Sequence, residues 1–298
     1  MMRRDREIGT RRFRWYAFWF LLVLVFPDAA AQQSRLDFAA ALATESDYFR
    51  AISIYKEVLF FTDEPETRQH CLFEIARAYH KSNRYKTSIQ YLARLLNQPD
   101  LPGPYVPRAQ VYLGLNYYGL NVYPLAETYF QRATPNDFSG MALFYSALLK
   151  AEQGQWEEAS RTYLTLSQQY PAREVGTLSR QLSTEILQGN NLPRRSPLLA
   201  TVLSTIVPGA GQVYNRHYYD GLQAFLFVGS FAFASFAAYR YDRDIGNNYV
   251  STIVALSITG IFHLANIIGA RRTTTYFNLR QKKMFMDRVR EITFSIDY

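Results

Sequence analysis

From residue 35 to residue 190 apolar positions recur with the 3.6-residue period of amphipathic helices, and small residues return along the apolar stripe at nearly constant intervals. Ala51, Ser88, Ala126 and Ala159 stand 37, 38 and 33 residues apart. Four residues after each comes a large side chain: Tyr55, Leu92, Phe130 and Tyr163. Twelve residues before each lies another small one, Ala39, Ala76, Gly114 and Ala147, and three beyond those come Leu42, Tyr79, Tyr117 and, off pattern, Lys150. Small residues at a crossing let two helices approach, and the large residue fills the space between one pair and the next. Four helix–turn–helix units are predicted, closed by a capping helix over 173–187. Pro99, Pro102, Pro104 and Pro107 mark an extended loop between the second and third.

These phased positions resemble the tetratricopeptide repeat. The third unit, "VYLGLNYYGLNVYPLAETYFQRATP", carries Leu113, Gly114, Tyr117, Ala126, Phe130 and Ala133 in family places. The fourth, "GQWEEASRTYLTLSQQYP", supplies Ala159, Tyr163 and the closing Pro171. The first two have Ala39 and Ala76 where the family often has Gly. The resemblance implies a groove that captures a peptide or a folded protein, with Asn116 and Tyr117 as candidate groove residues.

Past the linker over 191–197 the pattern changes. Uncharged runs of 20, 19 and 26 residues fill 196–215, 221–239 and 245–270. The last two are long enough to span about 30 Å of hydrocarbon, so transmembrane helices are predicted over 219–240 and 247–270. Gly229, Ser230, Ala234 and Ser235 in one, and Ser257 and Gly260 in the other, are the small residues expected where helices pack in lipid. The first run has about ten apolar residues before Pro208, too few to cross. Segment 198–215 is therefore expected to be re-entrant or interfacial, its irregular backbone satisfied by protein and Tyr214, Tyr218 and Tyr219 at headgroup level. If only two helices cross, the basic tail over 271–298 shares a side with the repeats; if 198–214 also crosses, it does not.

The string Pro208-Gly209-x-Gly211-Gln212-x-Tyr214-Asn215, with Gly221 opening the next helix, is similar to bacterial two-transmembrane-helix domains and to a domain family of unknown function, DUF5683. The resemblance covers about 194–285 and brings no reaction with it.

Composition and charge narrow the compartment and exclude classes. The N-terminus carries six arginines ahead of the apolar run Trp15–Phe26, and Ala29 and Ala31 fit a cleavage site, so 1–31 reads as a signal peptide or signal anchor. The formal charge of +8 gathers at the ends, with seven Lys or Arg between Arg271 and Arg290, rather than in the stripe that nucleic acid would need. The single cysteine, Cys71, allows no internal disulfide and reads as a small buried hydrophobe. None of the four histidines pairs with another His or Cys at metal spacing, and no nucleophile elbow, phosphate loop or carboxylate pair stands out. No catalytic residue, metal or cofactor is expected. His263, inside a predicted span with Asn266 on its face, is expected to make a helix–helix hydrogen bond. The ending "REITFSIDY" alternates Ile292, Phe294, Ile296 and Tyr298 with polar residues, a strand-like period.

The expected fold class is all-α, a tetratricopeptide-type helical solenoid followed by a membrane-embedded helical hairpin. The expected role is a membrane-anchored adaptor or scaffold of the bacterial cell envelope. Its array would lie in the periplasm, at the inner membrane or alternatively the outer. Its partners would be a protein or peptide in the groove and membrane lipid, without nucleic acid, and self-association would run through the spans. The alternative is an oligomeric transport or channel-like component.

Overall fold

The computed structural model describes residues 31–98, 105–133, 139–246 and 248–294, and all regular structure among them is helical. The signal-like segment up to residue 30, Pro99, Pro102, Pro104, Ile296 and Tyr298 lie outside the described residues. The chain divides into two compact units, Met1–Gln153 with Arg161–Ser179, and Gly154–Ser160 with Arg180–Tyr298.

The first unit is a succession of helices: α1 over 31–44, α2 Tyr48–Phe61, α3 Pro65–Lys81, α4 Tyr85–Leu96, α5 Tyr105–Gly119, α6 Tyr123–Ala133 and α7 Ser139–Gln153. From α2 to α7 each packs on the next, and α5 also touches α3 and α7. Ala39, Ala51, Ala76, Ser88, Gly114, Ala126, Ala147 and Ala159 are all buried, as are Tyr55, Leu92, Phe130 and Tyr163. Close approach has a measurable form at Gly114, where a Cβ would come within 2.4 Å of the Phe130 ring. Pro107 belongs to the first turn of α5 rather than to a loop. A proline is tolerated there because the first-turn N–H groups have no intrahelical partner.

The turn inside each helix pair repeats as well. Ser46, Asn83, Asn121 and Gly154, each five residues before the crossing residue, all adopt positive φ, at 64°, 60°, 60° and 83°. In the first three the next N–H closes the helix by a long bond: Asp47 to the Leu42 carbonyl, Arg84 to Tyr79 and Val122 to Tyr117, at 2.8–2.9 Å. That is a left-handed helix termination of the Schellman kind, which glycine and asparagine adopt at least cost.

Helices α8 (Trp156–Gln169) and α9 (Glu174–Glu185) follow, and both are divided between the two units. The limits of the two units thus fall inside α8 and α9. In the second unit a 3₁₀ turn over Ile186–Asn191 leads to α10 (Pro197–Ile206), α11 (Ala210–Tyr214), α12 (Tyr218–Ile245) and α13 (Val250–Thr293). Trp156 is buried here, edge-on to Phe285 with ring centroids 5.5 Å apart, and Gly189 leaves it room, since a Cβ there would lie 2.5 Å from the indole. The basic tail is not a separate segment, because α13 runs unbroken through it for 44 residues, about 66 Å. The strand-like reading of the ending is corrected: Ile292 lies inside α13 and Phe294 is its C-cap. Just before the ending, Phe285, Met286 and Val289 are buried on one stripe of the helix.

Candidate functional site

The glycine-rich motif is built on a turn. Ser196 opens α10 by accepting the Leu199 N–H (3.2 Å), with Pro197 at the first helical position. Val207 to Ala210 then form a turn closed by Ala210 N–H on the Val207 carbonyl at 3.0 Å, with Pro208 second and Gly209 third at φ 86°, ψ −14°. Those angles are of type II, which takes proline and then glycine. A Cβ on Gly209 would also lie 2.0 Å from the Gly221 carbonyl oxygen, and one on Gly221 would lie 2.7 Å from Val213, so the two glycines permit one close contact.

The other motif residues tie this turn to α13. Gly209 N–H donates to Asn266 Oδ1 (3.0 Å), and the Gln212 amide donates to both Asn266 Oδ1 and the Asn266 carbonyl (3.1 Å each). Asn266 Nδ2 donates to the Ser204 carbonyl, while Ser204 Oγ accepts from Gly211 N–H (2.9 Å) and donates to Gln212 Oε1 (3.1 Å). Gly211 has no room for a side chain, lying against the Ala200 carbonyl and Ala270. Asn215 Nδ2 donates to Thr274 Oγ1 (2.7 Å) and to the Ala270 and Gly211 carbonyls. The Tyr214 carbonyl accepts from the Arg195 guanidinium and its hydroxyl from Ser196 N–H; Arg195 also lies 4.2 Å over the Phe277 ring. Arg195 and Asn278 exchange two hydrogen bonds of 2.9 Å.

Every motif residue thus acts on the chain itself. Ser204, Gln212, Asn215, Asn266 and Thr274 are buried, where an unpaired amide would be costly, and the network satisfies nearly all of them. Around this network, among the described residues, Asn215 Oδ1 and the nearby His263 Nδ1 are buried without a partner. His263 does make the expected kind of contact, its Nε2 3.2 Å from the Thr205 carbonyl. Asn266 has a larger part than that of a neighbour to His263. Asn266, Ala270, Thr274 and Asn278 recur every fourth residue, a stripe legible in the sequence and not read from it. Residue 195 lies beside 278, Gly209 beside 266 and Asn215 beside 274, so the segment doubles back along part of α13.

Helices α12 and α13 are long and apolar enough to cross a membrane, and only 17% and 11% of their most apolar windows are buried. A soluble core helix would be mostly buried; these turn Leu222, Phe225, Phe227, Phe233, Ile253, Leu256 and Leu264 outward. The seam between them holds Ser235, bonded to Thr259 at 2.8 Å, and the stacked rings of Phe231 and Phe262. The small residues expected at that seam are elsewhere, apart from Ser235. Gly229 and Gly260 face open space and Ser230, Ala234 and Ser257 are exposed, because aromatic stacking and a hydroxyl pair fill the crossing instead. At the closed end Asp242 accepts from Ser251 Oγ, Thr252 N–H and Thr252 Oγ1, so α12 caps α13.

In the repeats one groove candidate is corrected. Asn116 is fully buried, donating to Ser88 Oγ (2.8 Å), while its Oδ1 lies 3.0 Å from His80 Nδ1. Ser88 in turn donates to the Ala76 carbonyl at 2.7 Å. An amide between two internal polar groups is held within the stack and cannot face a ligand. The chain of donors fixes His80 Nδ1 as an N–H. Burial lowers the His80 pKa below its usual 6.5, and burial pushes the Cys71 thiol up to about 12. Tyr117 is half-buried and stacks on Tyr129, centroids 5.4 Å apart, with Arg132 over the second ring at 5.3 Å. The preceding unit repeats this as Tyr79, Tyr91 and Arg94, 38 residues earlier in each case, and Lys56 donates to the Tyr79 hydroxyl. These two tyrosine pairs, each carrying an exposed arginine, were not read from the sequence.

Residues 141–172 match the family model "Tetratricopeptide repeat", and residues 193–296 match "Family of unknown function (DUF5683)". Among solved structures, the chain is similar to two crystal structures of the nearly identical TPR-like repeats of a Podosopora anserina kinesin light chain. They share 14% and 12% identity over 53% of this chain and 86% of theirs, with TM-scores of 0.45 and 0.43. No curated protein matches the chain. Tetratricopeptide repeats generally bind protein partners, and the two apolar helices point to membrane association. The chain carries a tetratricopeptide repeat and, after it, a DUF5683 domain.

Proposed function

We propose that this protein is a membrane-anchored adaptor of the bacterial cell envelope, whose repeats bind a protein or peptide while the α12–α13 hairpin holds them to lipid. The observation that carries the reading is the spacing of exposed rings on the hairpin. Tyr218 and Tyr219 begin α12 and Tyr239 and Tyr241 end its apolar stretch, all exposed. The 21 residues from Tyr219 to Tyr239 span about 30 Å, the thickness of a hydrocarbon core, and amphipathic rings favour its two edges. Tethering then raises the effective concentration of a bound partner near the bilayer. We assign the chain no reaction. Polar side chains that a transport role would need are engaged within the chain: Gln212 bonds Asn266, and the Asn215 amide donates to Thr274 and to the Gly211 and Ala270 carbonyls.

The paired test uses intact cells. Single cysteines at Asn191, Asp244 and Met284, placed in a Cys71→Ser chain, report sidedness. Asn191→Cys and Met284→Cys should label together from the periplasm, with Asp244→Cys reached from the other side. Labelling at 191 only after the inner membrane is permeabilised sinks the exported reading. Crosslinking should recover one abundant partner; a ladder of self-linked species would favour the oligomeric alternative.

A further inference from the structure

We propose that the open end of the α12–α13 hairpin is a collar for the phosphate headgroups of anionic lipid, contacted by Arg216, Arg271 and Arg272. The inference rests on the membrane-anchored reading and adds a lipid class and a place.

Three observations converge on it. The first is level. Asn215 bonds the Ala270 carbonyl and Thr274 Oγ1, which sets Arg216 beside the point where Arg271 and Arg272 end the uncharged run of α13. All three arginines are exposed, and exposed Tyr218, Tyr219 and Tyr276 mark the same end. From Val250 to Ala270 is 21 residues, about 31 Å, so the arginines follow one hydrocarbon thickness after the closed end.

The second is that their charge is unneutralised. No carboxylate among the described residues is paired with them: Asp220 lies 3.3 Å from His217 Nδ1, a contact that is an ion pair only when that ring is protonated, and Asp287 pairs with Arg290 at 2.7 Å. Among the described residues no ion pair takes Arg216, Arg271 or Arg272. Arg195, by contrast, is fixed on Tyr214 and Phe277 and is left to hold the turn.

The third is asymmetry. The closed end carries Arg240 and Arg243 against Asp242 and Asp244, with Arg243 paired to Asp244 at 3.1 Å. It is neutral, whereas Arg280 and Lys283 extend the positive potential beyond the collar along α13. Guanidinium binds phosphate through paired donors, and an anionic surface attracts clustered basic groups at its own level. A bilayer rich in phosphatidylglycerol is the surface that complements this end.

The test reconstitutes the full chain in vesicles and measures the motionally restricted fraction of spin-labelled phosphatidylglycerol against spin-labelled phosphatidylcholine. The anionic lipid should be enriched about two- to fivefold at the protein, falling towards parity in about 0.5 M salt. Enrichment should vanish in the R216Q/R271Q/R272Q variant, survive in R216K/R271K/R272K, and be untouched by R240Q/R243Q. Parity in the unmodified chain, or enrichment that persists in the triple glutamine variant, overturns the collar. Insensitivity of the unmodified chain to salt does so too, whether or not that variant folds. A chain that fails to enter vesicles at all overturns the anchoring reading instead.

Discussion

At the residue scale the motif behind Pro208 is an internal brace. Asn266 Oδ1 receives both the Gly209 N–H and the Gln212 amide, so removing it strands two buried donors. Asn266→Ala should destabilise the second unit by about 2–4 kcal/mol, read from its unfolding in graded denaturing detergent. An unchanged midpoint would show that the network carries no stability. His80 gives a pH signature in the repeats. Its folded pKa is lowered, so the neutral ring is the stabilising form. That stability is present above about 6.5 and is lost as pH falls below it towards the folded value. Protection factors in α3 and α5, taken after dividing out the intrinsic slowing of exchange, should fall from pH 7 to 5, and His80→Gln should flatten that difference. The burial of Cys71 could be read from its apolar neighbours. That of Asn116 could not, because its partners His80 and Ser88 lie 36 and 28 residues away.

At the scale of elements, the small and large positions were legible because packing demands them at fixed phase. The positive-φ turns carry the same phase in a weaker alphabet, Ser46, Asn83, Asn121 and Gly154, which no apolar pattern reveals. Gly154 isolates the backbone term, since a Cβ there meets nothing within 4 Å. Gly154→Ala should cost about 1–2 kcal/mol in thermal unfolding, all of it conformational. Gly114→Ala should cost about 1–3 kcal/mol for the opposite reason, the collision with Phe130. Phe130→Leu should then lose less stability in the Gly114→Ala background than alone; strict additivity would place the clash elsewhere. The unbroken length of α13 was hidden by its change of composition. Apolar residues before Ala270 and basic ones after it read as two segments, yet nothing between them interrupts a helix.

For the whole molecule, hydropathy separated a water-compatible stretch from an apolar one, and the outward side chains of α12 and α13 agree with that division. The place of the division was less legible, because the residues that settle it are far apart in sequence. Trp156 begins a repeat helix and yet is covered by Phe285, 129 positions later, and by Gly189. Scission at the proline linker would therefore orphan an indole. A fragment over 31–190 keeps Trp156 as its sole tryptophan and loses the ring that shelters it. Its emission should shift to the red of a chain over 31–298. The polypeptide has two compositions, and a cut where the composition changes would leave Trp156, which packs with the later one, without its cover.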